Sequence, residues 1–273
     1  MGGQAAAEAG VVEAVIPYVV RGETSRFYPT AREKSYWPAE EHLVPIRDAR
    51  AASLDLERNG FVLLKRPTTV QDFFDKAEVA QVYYPEIEAL VKSLNGADRV
   101  LVFGDMLRSD EAGTPDGRLP ARGAHVDYDE ATTRQFVIDQ LPPDEAEAAL
   151  KGRLIMMNLW RPVRTVEKTP LAVCDASSVP EADLFPSQIY GGLDDPNRKT
   201  MSGFNLAYNP AHRWYYVPRM QPDEILAFKL CDTDKSRVQW TGHTAFDDPA
   251  TAPGALPRQS IEIRTVSIFY PKP

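Results

Sequence analysis

Along most of the chain, hydrophobic and polar positions alternate in short runs bounded by turn residues, a pattern that signals many short strands. Residues 11–20 and 61–64 read as short strands or extended arms. Residues 70–94 differ, because Phe73, Phe74, Ala77, Val79, Ala80, Ile87, Leu90 and Val91 recur at helical spacing. Pro85 has no amide hydrogen to donate inside a helix, so the pattern predicts two helices divided there. Asn95-Gly96 supplies a C-terminal stop. Beyond it, residues 99–104, 153–160, 171–175, 204–208, 214–217, 224–230 and 260–270 read as strands, with Arg161-Pro162 ending the second. Residues 129–150 read as a helical insertion broken at Pro142-Pro143. The series predicts a mostly β fold, a β-barrel-like core with a helical buttress. Strand count alone leaves a double-stranded β-helix and a sandwich both open.

Composition sharpens this picture. The 23 prolines are scattered, which supports short elements over an interdomain linker. A chain of 273 residues can bury a sizeable core as one domain. We expect that domain over residues 11–273, with an N-terminal arm and helices over about 11–98. Residues 1–10, rich in Ala and Gly, are expected to form a disordered tail. The net charge of −8 argues against nucleic acid as a partner. The apolar run at residues 11–16 is too short for a signal core or a membrane span. Cys174 and Cys231 are too few for a disulfide framework and fit a reducing compartment, so a cytoplasmic protein with no membrane partner is expected.

The candidate chemistry lies near the middle and the end. His125 and Asp127 are two apart, so on a strand they share one face and can converge on one metal. Gly123 lets the backbone turn close to them. A third ligand must come from a distant segment. His243, just before the final strands, is favoured over His212 in a turn and over His42 in the N-terminal arm. Two imidazoles and one carboxylate suit a non-haem Fe(II) that keeps three open positions, two for a 2-oxo acid and one for O2.

Downstream, Arg258, Ser260, Glu262 and Arg264 alternate, which places them on one strand face with Ile261 and Ile263 on the other. An inward polar stripe in a barrel asks for a ligand. Arg258 with Ser260 suits the distal carboxylate of 2-oxoglutarate, because a guanidinium fork matches a carboxylate and a hydroxyl adds a donor. Arg264 is the alternative, with Glu262 as its pairing partner. Asn158, on one strand face with Met156 and Trp160, is a candidate for the 2-oxo acid. Arg108, Arg161, Trp160 and Tyr216 are candidates for a small, carboxylate-bearing substrate. A Zn²⁺ hydrolase using the same ligands, or a non-catalytic barrel that binds a small acid, are rival readings. The first leaves the arginine stripe without a purpose.

A series of segments carries a resemblance. It comprises Asn158-Leu159-Trp160-Arg161-Pro162, Pro170-Leu171-Ala172-Val173-Cys174-Asp175, Trp214-Tyr215-Tyr216-Val217-Pro218-Arg219-Met220 and Asp223-Glu224-Ile225-Leu226-Ala227-Phe228-Lys229. His243-Thr244-Ala245-Phe246-Asp247-Asp248-Pro249, Pro257-Arg258-Gln259-Ser260-Ile261-Glu262-Ile263-Arg264 and the upstream Gly123-Ala124-His125-Val126-Asp127 complete it. Together they resemble the 7α-cephem-methoxylase-like and gibberellin-desaturase-like hydroxylase/desaturase family of secondary metabolism. The resemblance implies a double-stranded β-helix of the jelly-roll/cupin type, Fe(II) on His125, Asp127 and His243, and 2-oxoglutarate and O2 as co-substrates. It further implies hydroxylation, desaturation or ring closure of a small amino acid or natural-product intermediate.

Overall fold

The computed structural model of the chain describes residues 10–29, 31–110, 118–191, 195 and 197–271. Nearly all of the expected tail, residues 1–9, lies outside them. The strands form two sheets. One has nine strands: β1 (Val11–Val19), β2 (Ser25–Phe27), β3 (Ala39–Asp48), β6 (His125–Val126), β8 (Leu171–Cys174), β9 (Leu184–Tyr190), β10 (Lys199–Leu206), β11 (Trp214–Tyr216) and β13 (His243–Ala245). Their order is β1-β3-β11-β8-β13-β6-β10-β9-β2. The other sheet has five: β4 (Phe61–Lys65), β5 (Arg99–Ser109), β7 (Arg153–Pro162), β12 (Glu224–Asp232) and β14 (Gln259–Phe269). Their order is β4-β12-β7-β14-β5. Pairing is antiparallel except at β11–β3 and β2–β9.

The two sheets face each other across a shared interior. Leu154, Met156, Trp160, Leu226, Phe228, Val266 and Ile268 from the smaller sheet meet Leu171 and Val173 from the larger and Val217 just beyond β11. The opposite face of the smaller sheet presents Ile155, Met157, Leu159, Ile261 and Ile263 to a helical layer carrying Ile87, Leu90 and Val91. The opposite face of the larger sheet buries Ile16, Val44, Ile46, Val126, Cys174 and Trp214. This is the double-stranded β-helix of the jelly-roll/cupin type, with the expected helical buttress.

Two helical expectations are refined. Residues 76–95 form one continuous run: α1 (Lys76–Glu78), a π-turn (Val79–Tyr83) and α2 (Tyr84–Asn95). Pro85 does not divide it. The wider π-turn just before Pro85 absorbs its missing hydrogen bond and the bulk of its ring. Gly96 closes α2 in the left-handed region, φ 71°, as Asn95-Gly96 predicts. The insertion breaks where expected, into α3 (Glu130–Gln140) and α4 (Pro143–Leu150), and packs Val137, Leu141, Ala146 and Ala149 onto the interior cluster. Within the N-terminal part, β1 and β3 extend the larger sheet and β4 edges the smaller. Among the described residues no helix is long and apolar enough to cross a membrane.

Candidate metal centre

β6 and β13 are neighbours in the larger sheet, and His125 pairs directly with His243. The next inward position after His125 is Asp127. One ligand-capable atom from each of His125, Asp127 and His243 lies within 4.8 Å of the others. His125 Nε2 is 3.3 Å and His243 Nε2 is 3.8 Å from Asp127 Oδ1, and the imidazole centroids are 4.3 Å apart. Each ring fixes its other nitrogen on a carbonyl: His125 Nδ1 on Gly123 O at 2.7 Å, His243 Nδ1 on Thr241 O at 3.2 Å. Both rings therefore turn Nε2 toward the carboxylate, the arrangement that orients metal-ligating imidazoles.

Local sequence explains the close approach. Gly123 has φ 97°, and Trp37 lies where its side chain would be. Gly203 on β10 runs so near the ligand segment that a Cβ would collide with the Val126 and Asp127 carbonyl oxygens. Gly203 carried no signal in the sequence, because its need comes from a strand met only in the sheet. Electrostatics suit a cation. Burial first, and then the His125 imidazole, draw the His243 pKa down to about 4, which leaves a neutral ring free to ligate. Burial opposes charge on Asp127, yet His125, His243 and Arg264 hold it well below the usual carboxylate range. Burial likewise disfavours charge on His125, and Asp127 outweighs it, raising its pKa.

The runners-up lie elsewhere. The His42 ring stacks on Tyr208 at 3.7 Å, and His212 Nε2 sits 3.1 Å from Asp183 Oδ2. Both contact the Tyr18 ring in the layer outside the larger sheet.

On the smaller sheet, Ser260, Glu262 and Arg264 face inward while Ile261 and Ile263 face the helices, as their alternation predicts. Arg258 is 2 % exposed, lies over the Trp160 ring at 5.4 Å, and donates Nη1 to Thr169 O at 2.8 Å. Its Nε has no hydrogen-bond partner among the described residues, and neither does Ser260 Oγ. Burial, with the Arg108 guanidinium next, pulls the Arg258 pKa down to about 9, as expected for a cation short of counter-charge. Arg264 gives Nη2 to Glu262 at 2.8 Å, and Arg108 grips the same carboxylate at 3.1 and 3.3 Å. Asn158 donates Nδ2 to Asp127 Oδ2 at 3.1 Å.

Two expected pocket residues are not brought to the site. Arg161 follows Trp160 by one and therefore lies on the other face of β7. There it donates to Tyr83 Oη at 2.8 Å, Arg66 O at 2.7 Å and Pro222 O, tying the helical layer to the sheet. Tyr216 points away from the interior and meets Phe246 edge-on at 5.4 Å, whereas its neighbour Tyr215 packs on the interior cluster. Trp160 does face inward, as the platform beneath Arg258.

The donor set therefore fits an octahedral Fe(II), and the orphaned donors on Arg258 and Ser260 fit a carboxylate. Comparison with known proteins agrees. The family model described as "Oxidoreductase/YMDC permease-like domain" matches residues 16–268. The chain is 30% identical over 279 residues to the alpha-ketoglutarate-dependent dioxygenase phiK of Fungal sp. (strain ATCC 74256), covering 96% of this chain and 98% of that one. It is 33% identical over 233 residues to the hydroxylase/desaturase CTB9 of Cercospora beticola, covering 78% and 71%. Among solved structures, the iron and alpha-ketoglutarate-dependent endoperoxidase NvfI superposes with a TM-score of 0.86 at 27% identity, over 97% of this chain and all of that one.

Proposed function

The chain belongs to the Fe(II)/2-oxoglutarate-dependent dioxygenase and hydroxylase/desaturase family of secondary metabolism, and on that premise we propose which of its residues hold each component. His125, Asp127 and His243 hold Fe(II). Arg258 and Ser260 hold the distal carboxylate of 2-oxoglutarate. The observation that carries this is the coincidence of a preformed His-Asp-His cluster with buried donors at the start of the facing strand that have no partner among the described residues. Arg264, the other arginine of the stripe, also has an Nε without a partner among the described residues, but its charge is met by Glu262. Neither a hydrolase nor a non-catalytic barrel finds support among the relatives.

With Fe(II), 2-oxoglutarate and O2 bound, such a centre supplies an oxidant strong enough to take hydrogen from an unactivated C–H bond. The protein supplies placement. Trp160 lies beneath the Arg258 guanidinium and Thr169 O holds its Nη1, so little side-chain freedom would be lost when the co-substrate binds. Phe228, with its ring 4.8 Å from His243, helps to keep the ligand side dry. Hydroxylation, desaturation and ring closure differ only in where the substrate carbon sits, so residues beside the triad select among them. Family members act on small molecules, and we assign this one a carboxylate-bearing substrate met by Arg108, which lies inward, 15 % exposed, and would share its charge between that carboxylate and Glu262. Two buried free cysteines fit a cytoplasmic setting.

The test is anaerobic reconstitution with Fe(II), then addition of 2-oxoglutarate while the visible spectrum is recorded. A weak charge-transfer band is expected, followed by succinate release under air. Fe(II) uptake without that band would remove the 2-oxo acid pocket, and no Fe(II) uptake would remove the metal site.

A further inference from the structure

We propose that Asn158 is a positioning residue for the metal carboxylate, and that it makes Asp127 a one-oxygen ligand. This rests on the metal reading above. Asp127 turns its two oxygens to different tasks. Oδ1 faces both imidazoles, at 3.3 Å from His125 Nε2 and 3.8 Å from His243 Nε2. Oδ2 accepts the Asn158 Nδ2–H at 3.1 Å. The amide orientation is dictated by chemistry, because an ionised carboxylate only accepts and the carboxamide must present its nitrogen.

The other end of the same amide shows what it is for. Asn158 is fully buried, and its Oδ1 has no hydrogen-bond partner among the described residues. A structural asparagine in a core satisfies both ends. Here one end is left unmet while the other reaches the carboxylate, so the bond to Asp127 is what the position provides. The donor is also neutral. Arg264 is the direct cross-strand partner of Asn158 on β14, and a guanidinium there would compete with a metal for Asp127. Glu262 draws Arg264 aside at 2.8 Å, leaving the amide as the donor on Oδ2. With Oδ2 occupied, Asp127 offers one oxygen, and an octahedral cation on two imidazoles and one oxygen keeps three positions open. A two-oxygen carboxylate would close one of them.

Asn158→Leu removes the donor at nearly constant size. The test titrates Co(II), an air-stable probe, into metal-free wild type and variant, recording affinity and visible spectrum, with melting of the metal-free proteins as the structural control. We expect Co(II) affinity about 10- to 100-fold weaker, a changed visible band from a changed ligand set, and a metal-free protein that still melts cooperatively. Asn158→Ala gives the same readout should the leucine variant not fold. Co(II) affinity within about two-fold of wild type with an unchanged spectrum would overturn the inference while leaving the metal site standing. Failure of wild type to take up Co(II) would overturn both.

Discussion

Lys229 and Arg258 are both buried cations of the smaller sheet, yet their surroundings are opposite. Lys229 Nζ is enclosed by Asp232 at 2.8 Å, Glu57 at 3.1 Å and Val238 O at 3.4 Å. Arg153 and Arg237 complete that cluster on the same two carboxylates, at 2.5 and 2.7 Å. Around Arg258 the cluster does not close: its Nε, Ser260 Oγ, Asn158 Oδ1 and Arg264 Nε are buried and have no partner among the described residues. An unsatisfied buried polar group costs about 1–3 kcal/mol. A closed cluster is what folding alone favours, and an open one is stability forgone where a ligand completes it. The difference separates a structural ion network from a binding site without reference to any relative.

Four outcomes would sharpen or break this distinction. Lys229→Met should destabilise the protein by about 3–5 kcal/mol, because Asp232 and Glu57 lose a buried partner. Denaturant melts measure it, and the 2-oxoglutarate KM should stay put in the folded fraction. Arg258→Leu should do the reverse, weakening 2-oxoglutarate by about 2–5 kcal/mol with little loss of stability, read by titrating the charge-transfer band. A large loss of stability with unchanged affinity would place Arg258 in the structural class. Ser260→Ala should weaken 2-oxoglutarate by about 0.5–1.5 kcal/mol, a several-fold rise in KM.

The smallest effect concerns pH. Burial lowers the His212 pKa below its ordinary 6.5, although Asp183 pulls the other way. The unfolded chain then binds a proton that the folded chain resists, so this contribution is whole above pH 6.5 and is lost as pH falls from there toward the folded pKa. Burial raises Asp183, yet Arg21 and Asn209 hold it below its ordinary 3.8, so its share is lost only at lower pH. Melting temperatures of the metal-free protein should therefore fall with acid below pH 6.5, where His243 also resists a proton, and His212→Gln should remove part of that slope. An identical slope in the variant would show that His212 does not carry it.

Much of the fold was legible because most strands are short and two-faced. Residues 258–264 alternate, and β14 has the inward polar stripe this predicts up to Arg264, beyond which Val266 and Ile268 take the inward face. β3 and β9 were not legible, since Pro45 and Pro186 interrupt the pattern that marks a strand and most of their residues are only half-buried. The division at Pro85 failed because a π-turn relieves a proline as well as a break does. In the site, His125, Asp127 and His243 were identifiable as types, with His212 and His42 still in contention. Arg161 and Tyr216 lie away from the interior because one step along a strand reverses the face, and residue type does not say which face is inside.

What the sequence determined by itself is the chemical inventory and its periodicity: two imidazoles with a carboxylate, an arginine and a hydroxyl two apart, and strands able to turn each set to one side. These follow from side-chain chemistry and the two-residue repeat of extended chain. Only the tertiary structure decided which histidine joins the pair, because that depends on β13 lying beside β6 across more than a hundred residues of chain. The same holds for the grip of Arg108 on Glu262 and for the oxygen of Asp127 that Asn158 holds. Those are contacts between strands distant in the chain, set by sheet order and register, which local pattern does not encode.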